Sequence, residues 1–169
     1  MKMESLKDLY LEQLRDLYDA ETQLVEALPK MASAAHNPNL RNAFNQHLRQ
    51  TREQVTRLER VFSALGERPE GQTCHGMKGL IKEGQEMIKA KGDPDVIDAG
   101  LIAAAQRVEH YEIAGYGTVR TYAEMLGAEE AMRLLEKSLQ EEEETDDKLT
   151  ELAESHVNVE AEAAGMRRT

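Results

Sequence analysis

At 169 residues, with 40% hydrophobic and 31% charged residues and only 4 prolines, the chain has the length of one domain with a real core and a composition that favours helices over a sheet. Its 32 acidic against 21 basic residues, a formal charge of −11, exclude nucleic acid and anionic membrane as main partners. No apolar run is long enough to span a bilayer, no signal peptide is recognisable, and the single cysteine, Cys74, has no internal disulfide partner, so a cytoplasmic protein is expected.

Apolar residues at helical spacing run from Leu6 through Tyr10, Leu14, Leu17, Leu24 and Leu28 to Ala32, with Pro29 expected to kink the helix or weaken its end. "HNPNL" breaks this helix, and Pro38 opens the next, which carries Leu40, Phe44, Val55, Leu58, Phe62 and Leu65 on one stripe. "GERPEGQTCHG" (66–76) reads as a loop, followed by a short amphipathic helix over roughly 77–90. Asp93 and Pro94 then give an N-cap and first-turn signal for a third long helix, which runs to Leu126 with Gly127 as its stop. A fourth spans about 128–156, and the bundle domain is expected over 1–157. Residues 158–169, with the basic ending Arg167-Arg168, read as a frayed tail. Short turns after the first and third long helices make two antiparallel hairpins, joined by a long crossover that holds the short helix. The expected fold class is therefore all-α, a ferritin-like four-helix bundle with a long crossover carrying a short extra helix. The two hairpins are also in phase: laying Glu21 over Glu112 puts Thr51 over Glu142 and Leu58 over Leu149.

Polar residues interrupt each apolar stripe at one height. At 100° per residue Glu21 centres the first stripe, Thr51 the second between His47 and Gln54, Glu112 the third with Glu109 toward its edge, and Glu142 the fourth between Thr145 and Asp146. Hairpin geometry sets position 21 level with about 52 and position 112 level with about 142. Adjacent-helix spacing plus side-chain reach then places Glu21 and Glu112 within about 15 Å. A lone glutamate on such a stripe is more often hydrogen-bonded than a ligand, and Tyr18, Tyr111 or Tyr116 could supply the bond. Within "QEEEETDD" (140–147), Glu141, Glu143 and Glu144 read as a solvated face, and Cys74-His75 as an incidental thiol in a loop without partners. Convergence changes the weighing: several carboxylates at one level repel unless a cation holds them, and an oxygen-rich set with few nitrogens suits iron or manganese.

The segments "DAETQL" (19–24), "HLRQT" with Gln54 (47–54), "LIAAAQRVEHYEIAGYGT" (101–118) and "EEEETDDKLTELA" (141–153) resemble the YciE/YciF ferritin-like proteins of bacterial stress responses, the YciF branch more closely, over nearly the whole chain. The resemblance implies a ferritin-like bundle, a homodimer and a dinuclear iron or manganese site. The usual ferritin-like pattern has one Glu and then Glu-x-x-His in each half, whereas this chain reads Thr51-x-x-Gln54 and Glu142-x-x-Thr145. Glu21, Glu112 and Glu142 carry over, Glu109 is an added carboxylate, and His47 and Asp146 could compensate from adjacent turns. The absent histidines weaken the expectation of a strong ferroxidase or peroxidase. Three functions follow for test: a dimetal carboxylate protein reacting with oxygen or peroxide, a non-catalytic stress protein whose buried carboxylates fix helix register, and, more weakly, iron storage.

Overall fold

The computed structural model describes residues 3–70 and 72–166, and the basic end from Arg167 to Thr169 lies outside them. Among the described residues every regular element is a helix. The long helices are α1 (Leu6–Ala34), α2 (Pro38–Leu65), α4 (Pro94–Met125) and α5 (Glu129–Leu152), with α3 (His75–Lys89) in the crossover. A π-helical segment, Ala153–Val157, then leads into α6 (Asn158–Met166). α1 pairs with α2 and α4 with α5, α2 lies beside α5 and α1 beside α4, and α3 packs across α1 and α4. This is the four-helix bundle with a long crossover that the stripe pattern implies.

The ends of the helices follow from their cap residues. Ser5 Oγ accepts the Asp8 N–H at 3.2 Å while the Asp8 carboxylate accepts the Glu4 N–H, a reciprocal box at the start of α1. Asn37 Oδ1 accepts from Asn39 and Leu40 with Pro38 in the first turn of α2, and Asp93 plays the same part for α4 ahead of Pro94. Gly66 (φ 68°) and Gly127 (φ 70°) take left-handed conformations that a side chain would strain. α1 continues through Pro29 to Ala34, where the expected break comes, and Ser33 Oγ donates to the Pro29 carbonyl at 2.9 Å. One expectation is corrected. The stretch after 157 is helical to Met166 instead of frayed, because the π-helical segment re-aims the chain so that Val157 and Ala164 are buried, with α6 against α4.

The core is two apolar clusters, not one. Tyr10, Leu14, Leu17, Leu58, Phe62, Tyr116, Val119 and Leu135 fill one end of the bundle. Leu24, Leu28, Leu40, Phe44, Leu101, Ile102, Val108 and Leu149 fill the other, with Met77 of α3. On each long helix the residues that separate the two clusters are the polar ones: Glu21; His47, Thr51 and Gln54; Glu109 and Glu112; Glu142. The polar layer is thus sealed above and below by hydrocarbon.

Asp98, buried in α4, fastens the two hairpins together at one end. Its carboxylate accepts the backbone N–H groups of His36 (2.8 Å) and Asn37 (2.6 Å) in the α1–α2 turn. Exchanging one acceptor oxygen for an amide NH2 in Asp98→Asn sets donor against donor, so a loss of about 1–2 kcal/mol is expected. Urea unfolding should show it as a lowered midpoint at unchanged slope.

Candidate metal centre

The residues of the polar layer reach one another because each sits at helical spacing on an inward face: Glu109, Glu112 and Tyr116 on α4, and His47, Thr51 and Gln54 on α2. Glu21, His47, Glu109, Glu112 and Glu142 are each at most 2% exposed. His47, Glu109, Glu112 and Glu142 each offer a ligand atom within 4.8 Å of the others. His47 Nδ1 lies 3.3 Å from Glu109 Oε1, and its Nε2 lies 3.9 Å from Glu142 Oε2. Glu21 completes the layer from α1, its carboxyl beside that of Glu112 within reach of a shared proton.

Neighbouring groups hold some of these carboxylates in place and leave their other oxygens free. The Tyr116 hydroxyl donates to Glu21 Oε1, and the Gln54 amide donates to Glu142 Oε1. Gln54 also donates to Glu141 Oε2 at 3.3 Å, and Arg57 grips that same Glu141 carboxylate with two bonds of 2.6 and 2.7 Å. Arg57 Nη1 reaches Ser138 Oγ at 3.2 Å as well. A chain of polar contacts therefore runs from the bundle edge at Arg57 to Glu142 and orients it from behind. Buried atoms without a hydrogen-bond partner remain on Glu21 (Oε2), His47 (Nε2), Glu109 (Oε2), Glu142 (Oε2) and both oxygens of Glu112.

Such a group resists ionisation. Burial first, and the neighbouring carboxylates second, push Glu21, Glu109 and Glu112 well above the usual carboxylate range. Burial pushes the His47 imidazole down, against the opposing pull of Glu142 and Glu141. Protons or a cation must offset the clustered charge, and the free atoms come from all four long helices. One nitrogen and several oxygens, with no thiolate, make a donor set that fits iron or manganese.

Several sequence expectations change here. Asp146 stays outside the group: its oxygens bind Gln106 and His110, both at 3.2 Å, on the outer side of α4. Between the two one-turn candidates, then, His47 is the one the bundle brings in. Thr51 and Thr145 spend their hydroxyls on their own helices, at the carbonyls of His47 (3.0 Å) and Glu141 (2.8 Å). Glu141 is not on the solvated face but under Arg57, whereas Glu143 and Glu144 are exposed as expected. Of the three tyrosines, Tyr116 serves the layer, Tyr18 binds Glu59 and Tyr111 donates to Asp16. Cys74 has partners after all: it caps α3, fully buried, with its sulfur 3.0 Å from the Tyr111 hydroxyl and 3.3 Å from Asp16 Oδ2.

A family described as a domain of unknown function, DUF892, matches residues 5–162. The chain belongs to this family. YciF of Escherichia coli K12 is 45% identical over 163 residues, 96% of this chain and 98% of that protein. The crystal structure of that E. coli stress protein superposes with a TM-score of 0.89, covering 92% of this chain and 99% of the other. YcfI of Rhodopseudomonas palustris, 44% identical, gives a TM-score of 0.85 over 88% and 95% of the two chains. The Xanthomonas campestris protein XCC3681, at 23% identity over 91% and 94%, gives 0.72 and supports the fold alone. This DUF892 chain is accordingly a YciF-like helical bundle with a buried carboxylate–histidine layer. Among its described residues no helix is long and apolar enough to cross a membrane.

Proposed function

We propose that this chain is a metal-binding carboxylate protein of the bacterial stress response. His47, Glu109, Glu112 and Glu142 would hold one iron or manganese ion, and Glu21, side by side with Glu112, would join a second to make the centre dinuclear. The observation that carries the reading is the set of six buried atoms without partners on Glu21, His47, Glu109, Glu112 and Glu142. An unsatisfied buried polar atom costs about 1–3 kcal/mol, so six together in one layer call for a common partner. Iron or manganese there would supply electron-transfer chemistry toward oxygen or peroxide. The chain's own residues exclude water through the two apolar clusters, fix Glu142 through Gln54, and hold a proton on the Tyr116 hydroxyl beside Glu21.

Metal analysis of protein purified without chelators tests this. Bound iron or manganese near stoichiometric amounts is expected. Protein that stays metal-free under saturating Fe(II) and Mn(II) would instead make the carboxylates a register-fixing layer. We also propose a homodimer, on the strength of the family resemblance. Light scattering at micromolar concentration should give twice the 19.0 kDa chain mass, and a monomer or a large shell would count against it.

A further inference from the structure

Two cavities meet at Glu109, and their chemistry differs. One, about 150 Å³, opens between α2 and α5 among Gln46, His47, Gln50, Glu144 and Lys148, with Lys148 donating to Gln46 Oε1 at 2.6 Å. It is polar, and a hydrated cation or peroxide would find hydrogen-bond partners along it. The other, about 30 Å³, lies between α1, α3 and α4 and is walled chiefly by Leu28, Met31, Ile81, Ala105 and Val108, with Glu109 also lining it. A buried water needs two to four polar partners, and this partly open pocket offers few, so its apolar walls favour an apolar gas over water.

We infer that the cavity between α1, α3 and α4 is a binding site for dioxygen, giving an apolar diatomic molecule its own approach to the carboxylate layer, apart from the polar one. Size and lining both select for it. The volume suits a molecule of about two heavy atoms. Glu109 has a buried oxygen without a partner and lines both cavities, so it is where the two approaches converge. The inference also gives the crossover helix a task. Gly84 is buried in α3 at the cavity wall, and a methyl group there would meet Met31 Sδ at 3.7 Å and Ala104 Cβ at 3.8 Å, ordinary contact without a clash. Gly79, on the same helix, faces open space. The cavity's affinity for an apolar gas stands on its own, while its assignment to dioxygen rests on the redox-metal reading above.

That pair of glycines supplies the experiment. Gly84→Ala and Gly79→Ala both replace a helical glycine, so both should fold at least as well as the native chain, but only the first puts a methyl group into the cavity. Methyl NMR spectra of the metal-free protein under xenon pressure should show saturable shifts at Leu28, Ala105 and Val108 in the native chain and in Gly79→Ala. The shifts should be largely lost in Gly84→Ala. Absent shifts in the native chain, or equal shifts in both variants, would overturn the gas site. With Fe(II) loaded, oxidation by dissolved oxygen should slow several-fold in Gly84→Ala at unchanged iron affinity. Equal oxidation rates would overturn the dioxygen assignment. A protein that takes up xenon but no iron would defeat the metal reading, and the dioxygen assignment with it, while leaving the cavity as a gas site.

Discussion

Glu112→Gln is expected to lower metal affinity by at least about tenfold, the lower end of what even an outer-shell change costs a metal site, and with it the occupancy of the purified protein, while the helices stay formed. Glu112 is fully buried, and the neighbours that act on its ionisation are other acids, the Glu21 carboxyl among them, so no cationic or amide partner in the metal-free bundle depends on its charge. The amide keeps the shape of a carboxyl that the layer already holds protonated, and it cannot ionise to meet a cation. The metal-free variant should therefore be at least as stable as the native chain at neutral pH. Glu143→Gln, the same acid-to-amide change on the exposed side of α5, should leave occupancy unchanged. Metal analysis of the two variants, prepared side by side, separates a ligand from a general charge effect. Full occupancy in both would remove Glu112 from the site.

Metal should matter more as pH rises. Glu21, Glu109 and Glu112 are held above their ordinary range, so the folded, metal-free chain keeps protons that the unfolded chain releases above about pH 4.3. The stability these three confer is complete below that pH and is lost as pH climbs through their raised folded values. His47 works in the opposite direction: its value is pushed down, so it costs stability as pH falls below about 6.5. Above that point the carboxylates act without this opposition, and the metal-free protein should melt at falling temperature from pH 6.5 to 8.5. Metal at about 100 times its dissociation constant adds about 2.7 kcal/mol. For a chain of this size that raises the melting temperature by roughly 5–10 °C. The gain should widen with pH because protons compete for the same oxygens. Paired thermal melts with and without Mn(II) across this range provide the check, and a metal-free melting temperature that is flat or rises with pH would contradict it.

How far the sequence reaches depends on what each residue's fate requires. The caps at Asn37, Asp93, Gly66 and Gly127 are decided within a few residues, and periodicity alone places Glu21, Glu112 and Glu142 at the centres of their stripes. Periodicity does not separate His47 from Asp146, since both stand one turn from a centred position. The choice turns on how far α2 and α5 are rotated about their axes, which the packing of side chains decides. Glu141 looked like one more surface acid because its partner, Arg57, is 84 residues away in sequence. Asp98 was hidden for the same reason: nothing local in α4 announces the turn at His36 and Asn37 that it caps. Cys74 reads as incidental in the sequence because its partners Asp16 and Tyr111 come from two other helices. The helical tail escaped because a π-helical turn shifts the phase on which periodicity depends.

The central claim is that protons occupy this buried layer until a cation replaces them. Titrating Mn(II), or Fe(II) without oxygen, into metal-free protein in weakly buffered solution at pH 7 measures this through the protons released. Saturable binding with at least one proton released per ion is the result this account requires, with the release diminished in Glu112→Gln and unchanged in Glu143→Gln. Binding that releases no protons, or no saturable binding at all, would contradict it.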